Sequence, residues 1–212
     1  MSVVTGFNPG RRRPALRVGR RRGFTLIEIL VVLVLLVTVV AMGIPLLLTG
    51  LDEYRTASAA RYLAGRFRLA RMNAVRRSAT VAIRFDTGGR VVRYAAFLDG
   101  NRNGVRTADI TRGVDRPLTG FEGIGDHFTG VTFGIQSGVP AIGEVLAAAG
   151  DRNPLQIGRS GIMSFTPDGC ATSGTLYLRG KGKAQFAVRV LGATARTRVL
   201  KFDHAARMWV ER

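Results

Sequence analysis

Residues 23–51 read GFTLIEILVVLVLLVTVVAMGIPLLLTGL, and this stretch decides the architecture. From residue 29 to residue 51 there are 23 residues without a charge, most of them Val and Leu. As a helix rising about 1.5 Å per residue, such a run covers about 35 Å, enough for a bilayer core of about 30 Å. One residue breaks the pattern. Glu28 lies within the apolar stretch that opens at Phe24, where a carboxylate is costly in lipid and marks a functional position. Solvation near the membrane interface is the alternative for it.

Outward from this run, the segment before it holds seven arginines (Arg11, Arg12, Arg13, Arg17, Arg20, Arg21, Arg22) and no acidic residue. It has no hydrophobic periodicity and reads as a leader outside the fold. A basic cluster ahead of a span stays on the cytoplasmic side, which sends the C-terminal bulk across. The expected organisation is a leader over 1–23, a transmembrane helix over 24–51 and a globular domain over 52–212. The domain includes an amphipathic continuation of the helix.

The hexapeptide Gly23-Phe24-Thr25-Leu26-Ile27-Glu28 resembles the class III signal of type IV pilins and type II secretion pseudopilins. The resemblance implies that a prepilin peptidase cuts between Gly23 and Phe24 and methylates the new N-terminus at Phe24. Glu28 is then residue five of the mature chain. Pro45 falls at mature position 22, where pilins carry a helix-kinking proline. Two other export routes stay open. Ala41-Met42-Gly43 offers an ordinary signal-peptidase site, leaving Ile44 as the first residue. Arg21-Arg22-Gly23-Phe24 loosely resembles a twin-arginine signal. Neither accounts for Glu28.

A carboxylate packed among such helices needs a cationic partner. The α-amine of Phe24 supplies one. At about 4 Å and an effective dielectric near 20, the pair gains roughly 4 kcal/mol before desolvation. The resemblance implies that Glu28 meets the N-terminus of a neighbouring subunit and sets the assembly register. A pair within one chain is the alternative, since residues four apart are neighbours on a helix.

Over 52–77, Ala60, Leu63, Phe67, Ala70 and Ala74 fall on one face at period 3.6 and require a sheet to pack on. Seven arginines share this helix (Arg55, Arg61, Arg66, Arg68, Arg71, Arg76, Arg77) and read as a solvated face. Strand-like runs follow at 80–85, 90–97, 131–135, 161–166, 175–179, 185–191, 196–202 and 207–210. Asp86-Thr87-Gly88-Gly89 is a hairpin signal between the first two. Residues 139–153 read as a loop with one short helix at 144–149. A long helix followed by antiparallel strands is α+β.

Within this domain, Ala70-Arg71-Met72-Asn73-Ala74-Val75-Arg76-Arg77 resembles the helix end of GspH/FimT-type minor pseudopilins. Phe165-Thr166-Pro167-Asp168-Gly169 and Gly174-Thr175-Leu176-Tyr177-Leu178 resemble their C-terminal half. Gly192-Ala193-Thr194-Ala195-Arg196-Thr197-Arg198-Val199 resembles their glycine-arginine turn, with Ala195 where glycine is usual. The resemblance implies a structural subunit with a pilin-like fold. It would be held in the inner membrane with its domain in the periplasm, and would associate with other pilins or pseudopilins in a filament.

The sequence offers no catalytic constellation and calls for no cofactor. His127 and His204 stand apart from any nucleophile motif. Gly180-Lys181-Gly182-Lys183 lacks P-loop spacing and reads as a basic hairpin turn. Cys170, the single cysteine, excludes an intramolecular disulfide. Asp99-Gly100-Asn101-Arg102-Asn103-Gly104 fits the first half of a calcium loop, with oxygens at Asp99, Asn101 and Asn103. Position 12 is Ile110, however, and Asp109 comes one residue early. An Asx-rich turn is the alternative.

The net charge of +18 is uneven. The leader carries +7, residues 24–77 carry +4, residues 78–174 balance, and residues 175–212 carry +7. Without the leader the chain carries +11. The C-terminal excess makes Lys181, Lys183, Arg196, Arg198 and Lys201 candidates for DNA phosphates. Tyr177 and Trp209 are candidates for base stacking, with core positions as the alternative. FimT-like relatives are associated with DNA uptake, so a DNA-binding minor pilin is a second expectation. A soluble exported protein is a third.

Overall fold

In a computed structural model of the chain, residues 23–143, 153–158 and 160–212 are described. The expected leader up to residue 22 and the expected short helix at 144–149 lie outside these residues.

The longest element is helix α1, Leu26–Arg77. Contacts divide the chain into residues 1–43 and 44–212. In the first unit the described residues of α1 are apolar apart from Glu28 and Thr38 and nearly all exposed, and the helix is long and apolar enough to cross a membrane by length and composition. In the second unit α1 contributes the expected stripe. Ala60, Leu63, Phe67, Ala70 and Ala74 are all buried, joined by Ala57, Ala59 and Ala64. Small residues at most of these positions let a helix seat close against its neighbours.

Two antiparallel sheets supply the surface this stripe needs. The first has β1 (Val81–Asp86) paired with β2 (Arg93–Leu98) on one side and β7 (Ile162–Phe165) on the other. Short strands β3 (Arg116–Pro117) and β4 (Glu122–Gly123) pair with β2. The second runs in the order β11-β10-β9-β8-β5, with β6 also on β8. These are β5 (Thr132–Phe133), β6 (Leu155–Gln156), β8 (Gly174–Arg179), β9 (Gln185–Leu191), β10 (Arg196–Asp203) and β11 (Met208–Glu211).

The main core joins the helix to one face of both sheets, with Leu63 and Phe67 beside Val81, Ile83, Met163 and Phe165 and beside Leu176, Leu178 and Val188. The opposite faces are also covered. Ala82, Ala95, Phe97 and Ile162 meet Val105 behind the first sheet. Tyr177 and Ala187 meet Ala141 behind the second. Burial on both faces explains why β8 and β9 read as nearly continuous apolar runs rather than alternating ones.

The expected strand centres are present, with shifted ends. The run at 131–135 is a strand only at Thr132–Phe133, and the first hairpin loop spans residues 87–92 rather than four residues. Two short helices, α2 (Thr107–Thr111) and α3 (Ile124–His127), lie between β2 and β5, where no helix was expected. The turn before β10 has no glycine at its left-handed position. A 3-10 turn at Gly192–Thr194 leads into Ala195, which takes a left-handed φ of 47°. An L-residue there costs about 1–2 kcal/mol. The burial of the Ala195 methyl in the main core offsets part of that cost.

Candidate functional site

The N-terminal segment is built from its first turn. Thr25 precedes α1, and its Oγ1 accepts the backbone N–H of Glu28 at 3.3 Å. Ile29 N–H meets the Thr25 carbonyl at 3.2 Å. Thr25 is therefore the N-cap, and Thr-x-x-Glu is the spacing of a capping box. The sequence carried this signal, and it explains why the helix starts where it does. Glu28 is exposed in the single chain, in the first turn, where a negative charge complements the helix dipole. Gly23 and Phe24 precede the helix outside regular secondary structure, and both are exposed. Pro45 lies inside α1, where it has no N–H to give to the carbonyl of Ala41.

On the domain, the five expected basic residues line two clefts. Arg196 and Arg198 share one of about 840 Å³ with Arg61, Arg68, Arg71 and Arg212. Glu211 is the only acidic residue lining it, 3.3 Å from Arg198 Nη1. Arg198 Nε is buried without a hydrogen-bond partner. Sequence reasoning missed the contribution of α1 here, because the helix arginines read as a solvated face.

Lys181, Lys183 and Lys201 line a different groove, near the start of the polar half of α1. Asp52 organises it. Its two carboxylate oxygens accept the backbone N–H groups of Lys181 at 2.8 Å and Gly182 at 3.0 Å. A methyl group at Gly180 would collide with the Asp52 carboxylate, and one at Gly182 would come within 2.9 Å of it. The glycines of Gly180-Lys181-Gly182-Lys183 therefore admit a carboxylate, not a phosphate. Lys201 pairs with Glu53. The His204 Nε2 donates to the Lys183 carbonyl at 2.7 Å.

A third cluster carried no sequence signal. Glu122, about one-fifth exposed, receives Arg66 Nη2 at 2.6 Å, His127 Nε2 at 3.0 Å and the Tyr62 hydroxyl at 3.4 Å. Burial pushes the Glu122 carboxyl up, but the hydrogen bond from His127 and the Arg66 guanidinium outweigh this and hold it below its ordinary value. Arg66 is thus committed to a partner, unlike the solvated helix arginine expected. The cluster fastens α1 to β4 and α3.

The acidic loop is folded upon itself. Asp99 Oδ1 accepts Asn101 and Arg102 N–H, and its Oδ2 accepts Gly104 N–H at 2.7 Å. Asn101 accepts Asn103 N–H, and Asn103 Nδ2 reaches Asp109 Oδ2 at 3.1 Å. Asp115, not singled out by sequence, accepts Gly100 and Arg106 N–H. These oxygens accept donors of the loop, the arrangement of an Asx-rich turn. Tyr177 is fully buried, and Trp209 donates to the Pro140 carbonyl at 3.0 Å. Both pack behind the second sheet, where Trp209 is partly buried.

Residues 59–194 match the family described as type II transport protein GspH. The chain belongs to the GspH family. Residues 19–44 match the prokaryotic N-terminal methylation motif, which contains Gly23, Phe24 and Glu28. This GspH-family chain is a pseudopilus structural subunit. Among solved structures, it is similar to two of the minor pseudopilin EpsH from the type II secretion system of Vibrio cholerae. One is 15% identical and covers 69% of this chain and 97% of that one, with a TM-score of 0.43. The other is 16% identical and covers 69% and 94%, with a TM-score of 0.42. No curated protein matches.

Proposed function

We propose that this chain is a minor pseudopilin of a type II secretion system, anchored in the inner membrane by α1 with its domain in the periplasm. The peptidase cuts between Gly23 and Phe24 and methylates Phe24. Glu28 then pairs with the N-terminus of a neighbouring subunit as the helix enters the filament. The observation that carries this reading is the capped apolar helix of the first unit, exposed along its described length, with one carboxylate in its first turn. The proposed mechanism is burial of that apolar surface against other such helices, in which an ion pair with a neighbouring N-terminus keeps the Glu28 carboxylate charged. Mass spectrometry of the mature N-terminus tests it. An N-methylated Phe24 is expected, and a chain starting at Ile44 would overturn the reading.

The arginine cleft favours a second activity, sequence-independent binding of DNA. Six guanidiniums face a single carboxylate, and phosphate contacts by such groups need no base readout. A gel shift of the full chain in detergent with duplex DNA tests it. Retardation that weakens with salt and with Arg196→Ala plus Arg198→Ala is expected. A shift unaffected by that pair counts against it.

A further inference from the structure

The chain has three lysines, Lys181, Lys183 and Lys201, and its other 29 basic residues are arginine. All three line one groove of about 1000 Å³, together with Leu48, Leu51 and Phe202. None of its lining residues belongs to the arginine cleft. Leu48 and Leu51 are exposed. Cationic heads above an apolar wall form an amphipathic lining, and lysine suits it as a compact, mobile charge on a flexible apolar stem.

The height of the groove is fixed by Asp52, the first charged residue after Leu51. By accepting the Lys181 and Gly182 N–H groups, it ties the tip of the β8–β9 hairpin to the turn of α1 where the apolar stretch ends. The bond from His204 to the Lys183 carbonyl ties the same tip to the β10–β11 turn. Three carboxylates line the groove: Asp52 is spent on those backbone donors, Glu53 on Lys201, and Asp203 on the Ala205 and Ala206 N–H groups of the β10–β11 turn. Among the described residues, no carboxylate pairs with the ammonium groups of Lys181 and Lys183 or with the guanidinium of Arg55.

We propose that this groove binds the headgroup of an anionic phospholipid in the leaflet where the apolar stretch ends. Lys181 and Lys183 hold the phosphate, and the acyl chain runs along Leu48 and Leu51. The inference rests on the reading of α1 as a membrane anchor, which sets Asp52 at the level of the headgroups. The apolar wall favours lipid over a nucleic acid, whose phosphates carry no hydrocarbon chain, and its continuity with the apolar stretch of α1 favours lipid over an acidic protein. Bound lipid would hold the domain in one orientation on the membrane before assembly.

Because the lysines are confined to the groove, their reactivity reports on it directly. The full chain is reconstituted into vesicles of phosphatidylcholine, or of phosphatidylcholine mixed with phosphatidylglycerol. It is floated, treated with an amine-acylating reagent, and mapped by mass spectrometry. Each basic group near an anionic surface contributes about a fivefold preference, so Lys181 and Lys183 should react about fivefold more slowly in the mixed vesicles. High salt should restore their rates, and Lys201, paired with Glu53, should change little. Flotation with equal Lys181 and Lys183 rates in both vesicle types overturns this inference alone. Failure to float with either overturns the anchor reading and this inference with it. Protection in phosphatidylcholine vesicles produced only by added duplex DNA or by an acidic polypeptide reassigns the groove to that partner.

Discussion

The carboxylate of Asp52 accepts the backbone N–H of Lys181 at 2.8 Å, closing a loop of 129 residues between the helix and the β8–β9 hairpin. With the second bond to Gly182, this is a charge-assisted clasp. Removing the acceptor leaves two backbone donors without their partner. Asp52→Ala should therefore lower domain stability by about 1–3 kcal/mol in chemical denaturation of the full chain in detergent. Gly180→Ala should cost a similar amount by pushing the carboxylate away. The double variant should cost less than both together, because each change breaks the same contact. Full additivity would show that the two residues act independently.

The alanine-rich stripe of α1 makes a second prediction. Phe67 is fully buried and packs 5.9 Å from Phe165 between ring centroids. Phe67→Ala should cost about 3–5 kcal/mol. Leu69, two residues on and exposed, should tolerate alanine within about 0.5 kcal/mol. Equal costs at the two sites would contradict the assigned helix face.

Glu122 predicts the acid limb of the stability curve. Its folded carboxyl lies below the ordinary value of 4.5. A depressed carboxyl adds stability that is present above the unfolded value and disappears as pH falls through the folded one. Wild-type stability should therefore fall as pH drops below about 4.5, and Glu122→Gln should flatten that fall. At neutral pH the same variant should cost about 1–3 kcal/mol, through loss of the charged acceptor for Arg66 and His127. An unchanged acid limb would remove Glu122 from the account.

The Glu28 reading separates insertion from assembly. Glu28→Val should leave membrane insertion intact or improved, since it removes a charge from an apolar helix. Incorporation into filaments should drop by at least about tenfold, because the pair with a neighbouring N-terminus is lost. Crosslinking between subunits reads the second effect and membrane fractionation the first. Normal incorporation would refute the pairing role.

The parts of this structure legible in the sequence are those governed by local period. The stripe from Ala60 to Ala74 and the β8, β9 and β10 strands follow from spacing of 3.6 or from short apolar runs between glycines. What escaped is what depends on which distant elements meet. No local pattern shows that Arg66 faces Glu122, 56 residues away, or that Arg61, Arg68 and Arg71 face Arg196 and Arg198. The basic tail read as one surface because strand neighbours say nothing about the helix beside them. The loop of Asp99 carries two readings for a different reason. Oxygens spaced for a cation are also spaced for backbone N–H groups, and here the N–H groups of Asn101, Arg102 and Gly104 took them.

Among the described residues, the sheet residues that cover the helix stripe come later in the chain than the helix itself, from Val81 to Val199. During synthesis and export, α1 emerges first, with Leu63 and Phe67 still uncovered. Its partners follow in order, and the Asp52 clasp closes only after residue 182 has crossed. Contacts of such sequence separation form slowly. On the proposed anchoring the chain is tethered while it finishes folding, and a subunit released early would expose the apolar stripe that its sheets are built to hide.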